Sequence, residues 1–169
     1  MNQSSHVVQG IEAKRTGSSV RQEDRIRCLT LNFFSYKMLI PNASVAEVIE
    51  PKSKIEPRLG APEWFGGLMT WREQDVPVLI FEKIMNIEAS KPQKYRRVLI
   101  LNTPGNQGCA PFTALGCQSI PSLTLIEETR LATSSIMSEQ VIHIKLDGEN
   151  YIIPNISLLE EKVSEVMGG

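Results

Sequence analysis

The chain is poor in the residues that do chemistry. It has only two histidines, His6 and His143, and neither stands at ligand spacing from a cysteine or carboxylate. That pattern offers no metal site, and no cofactor is expected. The three cysteines, Cys28, Cys109 and Cys117, are an odd number without metal spacing. They fit a reducing cytosol better than a disulfide frame. No apolar run approaches the roughly 18 residues needed to span a bilayer. The N-terminus lacks the apolar core of a signal peptide. No direct membrane insertion is therefore expected, and a cytoplasmic protein is. Charge of one sign is missing as well: 18 basic and 19 acidic residues leave a net charge of −1. Such a chain has no broad basic field to draw nucleic acid, and no nucleic-acid partner is expected.

The remaining chemical candidates are thin. Cys117 and His143 suggest a nucleophile and its base, but such a pair needs an orienting third group and an oxyanion site. Cys117 also sits inside an apolar run, as a buried small hydrophobe would. A small cysteine hydrolase is the alternative from a different class. The loop Thr103 to Gly108 lacks the Lys-Ser/Thr sequel of a phosphate cradle and precedes a strand. Lys94 to Arg97 (KYRR) is a basic patch with one aromatic, and reads as a solvated strand entry.

What the chain does contain is organised around Leu59 to Phe81. Gly60-Ala61-Pro62 is a turn signal, followed by Trp64-Phe65 and the Gly66-Gly67 break. Two apolar runs, Leu68 to Trp71 and Val76 to Phe81, flank the polar tip Arg72-Glu73-Gln74-Asp75 and predict a β-hairpin. Pro77 in the second run points to an edge strand. The glycine pair lets the backbone bend and lets something else approach it closely.

Residues 1–25 are polar and read as a mobile tail, and residues 26–169 as the folded domain. Within it the spacing predicts a strand from Ile26, a tight hairpin back through Tyr36 to Ile40, and a strand over Ser44 to Ile49. That last strand alternates, with Val45, Glu47 and Ile49 on one face and Ala46 and Val48 on the other. Pro62 to Phe65 suggests a helical turn, and Glu82 to Ile87 a short helix. Ala89 to Lys94 reads as a seam between two halves, about 26–88 and 95–154. The second half holds strands at Arg97 to Leu101, Phe112 to Cys117 and Ser122 to Ile126. Glu127 to Glu139 carries too little apolar content to assign. Val141 to Leu146 and Tyr151 to Ile153 flank the hairpin turn Asp147-Gly148. Asn155 or Ser157 caps a terminal helix over about 155–167. Many short strands, short helices and a C-terminal helix imply a mainly β fold. Paired small barrels and a single sandwich both remain open on periodicity.

Two charges stand out. Glu47 interrupts an apolar strand face and Arg72 tips the central hairpin, among Val45, Val48, Trp71 and Val76. Paired, they would present a defined polar spot within an apolar surface, the composition of a protein-binding hot spot.

At these residues the sequence resembles the CheW-like domain, the adaptor module of bacterial chemosensory arrays. Val45-Ala46-Glu47-Val48 matches the family's V-x-E-V, and Pro62 to Gly67 its P-x-W-x-x-G. Arg72 matches its arginine and Val76-Pro77-Val78 its v-P-v. Order and spacing agree over residues 28–81. The resemblance implies two five-stranded SH3-like barrels on a shared core. It also implies a non-catalytic adaptor between a methyl-accepting chemoreceptor tip and a CheA-type histidine kinase. By match, Val45, Glu47, Gly67 and Arg72 are interface positions, with Val48 and Val76 beside them. Glu47 and Arg72 are an expected ion pair. Gly67 and Arg72 fall to the receptor side and Glu47 mainly to the kinase side. Glu73 replaces the usual glycine, Ile80 an aspartate, and Asn155 the aspartate that often opens the last helix; another aspartate is missing near Gly116-Cys117. These departures resemble the accessory members of pilus-linked (twitching) chemosensory systems. An array modulator that binds the kinase but no receptor is a further alternative.

Overall fold

The computed structural model describes residues 25–33, 35–52, 54–88, 94–103 and 110–168. The tail expected over 1–25 lies outside them except for Arg25. So do most of the seam at 89–94, most of the loop after Thr103, and Cys109.

The local patterns fold much as their periodicity dictates. β1 (Arg25–Asn32) turns tightly into β2 (Lys37–Pro41), closed by Phe33 N–H donating to Tyr36 O at 2.9 Å. A 3-10 turn, Asn42–Ser44, leads to β3 (Val45–Ile49). Its residues alternate half-buried and exposed as expected, with Val45, Glu47 and Ile49 inward. Pro62 to Phe65 forms a turn rather than a helix, with Phe65 N–H bonded to Pro62 O at 2.9 Å. β4 (Phe65–Trp71) and β5 (Gln74–Leu79) make the central hairpin, and α1 (Phe81–Ile84) follows. β6 (Arg97–Asn102), β7 (Phe112–Cys117) and β8 (Ser122–Glu127) come next. The unassigned polar stretch holds α2 (Glu128–Ser134) and β9 (Ser135–Met137). β10 (Val141–Leu146) and β11 (Glu149–Pro154) pair across Asp147 and Gly148, whose φ values of +50° and +83° are those of a two-residue hairpin turn. Asn155 caps α3 (Ile156–Met167), its side chain accepting from Leu158 N–H at 3.3 Å.

The fold is mainly β, with two sheets of SH3-like barrel type rather than one sandwich. Among the described residues they hold six and five strands, in the orders β8-β1-β2-β11-β10-β9 and β3-β6-β7-β5-β4. The strands are not shared out as the segments 26–88 and 95–154. β1 and β2 join the strands of the second half, and β6 and β7 complete the sheet begun by β3. Three apolar clusters follow from this. One fills the six-stranded unit around Leu39 and Ile144, and one the five-stranded unit around Val78 and Ile100. The largest, with Leu31, Ile40, Phe81, Leu99 and Leu115, lies between them and is closed by Leu159 and Val163 of α3.

Pro77 does not mark an edge: β5 lies between β7 and β4. It is tolerated because Leu68↔Pro77 is a pair that exchanges no backbone hydrogen bonds. Leu68 turns its N–H and C=O the other way, to Glu56, at 2.9 and 2.8 Å. The missing N–H of Pro77 would face β7, whose pairing with β5 begins only at Val78.

Candidate functional site

The central hairpin turns on two residues only, Arg72 and Glu73, both with positive φ (+47° and +63°). That is the backbone of a two-residue turn that favours glycine, above all at its second position. Glu73 therefore holds a left-handed conformation without glycine's freedom, which costs about 1 kcal/mol. The turn places Arg72 at the strand ends, where it reaches β3.

There Glu47 Oε2 accepts two hydrogen bonds, from Trp71 Nε1 at 2.9 Å and from Arg72 Nη2 at 3.0 Å. Arg72 Cζ lies 4.6 Å from the centre of the Trp71 ring, and Phe112 of β7 meets that ring edge-on at 4.8 Å. β3 and β4 are the two ends of the five-stranded sheet. The Glu47 contacts thus join those ends and curl the sheet on itself. The isolated bridge between Glu56 and Leu68 ties the segment that follows β3 to the outer side of β4.

Magnitudes rank the contacts. The Arg72 and Glu47 side chains are 68% and 38% exposed, so their ion pair adds well under about 1 kcal/mol. Trp71 is buried, and its indole N–H without an acceptor would cost about 1–3 kcal/mol. Glu47 therefore interrupts the apolar face of β3 first because Trp71 needs it. The ion pair then orients Arg72 at the surface. The expected Glu47–Arg72 pairing is present. Trp71, its third member, was missed by sequence reasoning; the signal was an indole beside the arginine with no other acid in phase.

The other expected positions divide. Val45 is half-buried and packs against the shared core, while Val48 is exposed beside Ala46 on the outer face of β3. Val76 is fully buried. Gly67 is buried too, with φ +128°, and a Cβ there would lie 2.3 Å from Glu56 O and 2.9 Å from Ile55 Cγ2. The close approach inferred for the glycine pair is this chain's own segment 55–56. Gly67 and Val76 shape the hairpin from inside.

The departures from the family pattern have local accounts. Ile80 occupies the N-cap of α1 and offers no capping side chain, whereas an aspartate there would accept a helix N–H. Asn155 caps α3 as an aspartate would, and also donates to Glu139 O at 2.9 Å. In the KYRR patch Tyr95 lies flat over Gly116, where a Cβ would meet its ring, and Arg97 pairs with Glu50 at 3.4 Å.

The hydrolase constellation does not assemble. Cys117 is buried in β7, and burial pushes its thiol up to about 11, away from a reactive thiolate. His143 is exposed on β10, in the other sheet, beside a cavity of about 450 Å³ whose lining does not include Cys117. Among the described residues no group of three metal-ligating side chains forms, and no helix is long and apolar enough to cross a membrane.

Comparison with known proteins agrees with this architecture. The CheW-like domain matches residues 28–161. No curated protein matches the chain. Among solved structures, the scaffolding protein TtCheW from Thermoanaerobacter tengcongensis superposes with a TM-score of 0.62 at 18% identity. The match covers 77% of this chain and 88% of that one. At that identity it speaks for the fold alone.

Proposed function

Because the chain belongs to the CheW-like domain family, we propose that it is a non-catalytic adaptor coupling a methyl-accepting chemoreceptor tip to a CheA-type histidine kinase. The observation that carries this reading is the Glu47–Trp71–Arg72 cluster, which holds an exposed arginine in one orientation over the Trp71 ring. A fixed, exposed guanidinium stacked on an indole is a surface suited to recognition. Such an adaptor works by geometry: receptor states that differ in their contacts with the kinase bias its activity through the held complex. Val45, Glu47 and Val48 on β3 supply the kinase side. Arg72 at the hairpin tip supplies the receptor side. Gly67 and Val76 support both by keeping the hairpin bent and packed. The protein works in the cytoplasm, in a pilus-linked (twitching) system.

The test is capture of a CheA-type kinase regulatory fragment and a receptor-tip fragment by wild type and by Arg72→Ala. Wild type captures both, and Arg72→Ala, with an unchanged melting curve, loses at least one. Failure of the wild type to capture either would overturn the proposal. The modulator reading rested on Glu73 and Ile80. Capture of the kinase fragment but of no receptor tip by the wild type would favour that reading.

A further inference from the structure

Among the described residues the two sheets have four end strands, and three of them are short, bulged or partly engaged. β9 is three residues long. β3 is bulged between Val45 and Glu47, and its carboxylate is engaged across the seam. β4 gives the outward groups of Leu68 to Glu56. β8 differs from all of them. It runs for six residues, Ser122–Glu127, in unbroken register with β1. It contains no proline, lysine or bulge, the usual devices that blunt a sheet edge. Among the described residues no backbone hydrogen bond reaches it from the side away from β1. Leu123 and Leu125 on its outer face are 61% and 52% exposed, and Ile120 just before it is 58% exposed.

We propose that β8 is a strand-pairing edge, and that its occupant is β8 of a second copy of this chain, antiparallel about a two-fold axis at Thr124. Directly opposed residues of an antiparallel pair share a face, so the register must keep leucine opposite leucine. Centring on Thr124 sets Leu123 of each copy against Leu125 of the other and gathers all four leucines on one face. Moving the axis to Leu125 would set Leu123 against Glu127. Parallel pairing would align Glu127 and Glu128 with their own copies, acid against acid. In the antiparallel arrangement those acids instead meet the uncharged Ile120-Pro121 end of the other strand. An isologous contact of this kind closes at two copies. It is smaller than the roughly 1,200 Å² of a standard interface, so the dimer is weak and concentration-dependent. The inference does not rest on the adaptor reading.

The test is sedimentation equilibrium of the full chain from low-micromolar to millimolar concentration, with amide hydrogen exchange over residues 122–127 at both extremes. The expected result is a monomer–dimer equilibrium with β8 amides protected only at high concentration. Leu125→Lys is expected to weaken it at least tenfold while leaving the melting temperature unchanged, because Leu125 is exposed. A monomer throughout, with concentration-independent exchange, overturns the proposal. So does a dimer that survives Leu125→Lys. Protection of β8 at all concentrations that disappears on deleting residues 1–24 would give the edge to the chain's own N-terminal segment, and overturn it likewise.

Discussion

Replacing Gly67 by alanine puts the structural account of the hairpin at risk in a single measurement. At φ +128° a side chain is strained wherever it points, and the new Cβ would lie 2.3 Å from Glu56 O. The strain costs about 1–3 kcal/mol. To relieve the clash, segment 55–56 must move away, which breaks the two Glu56–Leu68 hydrogen bonds at about 1 kcal/mol each. A loss of about 3–5 kcal/mol is expected, a large share of the roughly 5–15 kcal/mol by which such a domain is stable. At about 2–4 °C per kcal/mol for a chain of this size, the melting temperature should fall by about 6–20 °C. Urea titration with an unchanged slope would confirm that stability, not compactness, has altered. Gly60→Ala is the control: its φ is +80°, but a Cβ there meets nothing within 4 Å, so only the conformational cost of about 1 kcal/mol applies. A Gly67→Ala protein within about 1 kcal/mol of wild type, or no less stable than Gly60→Ala, would refute the reasoning. The same result bears on function, because partner binding lost in Gly67→Ala would then be attributable to the hairpin, not to a direct contact.

Glu47→Ala should cost about 1–3 kcal/mol by stranding the Trp71 indole N–H, whereas Glu47→Gln, which keeps an acceptor, should cost under about 1 kcal/mol; equal losses on chemical denaturation would sink that ranking. Glu73→Gly should stabilise by about 0.5–1 kcal/mol through relief of its +63° φ, and a lower melting temperature would contradict it. The Glu149 carboxyl is held below the usual carboxylate range, first by its hydrogen bond from Lys37 and then by that from Tyr151. Its contribution is therefore present above its ordinary, unfolded-state value and fades as the pH falls through the lowered one. Carboxyl NMR titration should show its midpoint moving up in Lys37→Met. Cys117, with its thiol near 11, should resist iodoacetamide in the native protein at mildly alkaline pH and react only on unfolding; rapid native labelling would reopen the hydrolase alternative.

Where sequence reasoning succeeded, it rested on short-range rules. The period-two pattern of β3 oriented Val45, Glu47 and Ile49 correctly because alternation along a strand is set by its own backbone. The Asp147-Gly148 turn and the Asn155 cap were legible because three or four neighbouring residues decide each of them. Apart from the local turn at Pro62 to Phe65, the mismatched expectations turned on long-range contacts. Pro77 was given to an edge, but its tolerance depends on the side to which Leu68 turns its hydrogen bonds. β9 and α2 carried little apolar signal of their own, and Leu131 of α2 packs against a core. Trp71 was read as part of the apolar surroundings of Glu47 and Arg72, although its indole N–H is the reason for Glu47.

By itself, the amino-acid order determined the mainly β character and most strand and turn positions. Those follow from side-chain alternation and turn chemistry, both of which act locally. Only the tertiary structure decided how the strands are dealt between two sheets. Thr30 meets Thr124 at 2.7 Å across 94 residues of chain, a contact chosen by the closing of a common core and not by any pattern near either residue. The same closure brings the two ends of one sheet together at Glu47, and leaves β8 as a long, unblunted edge.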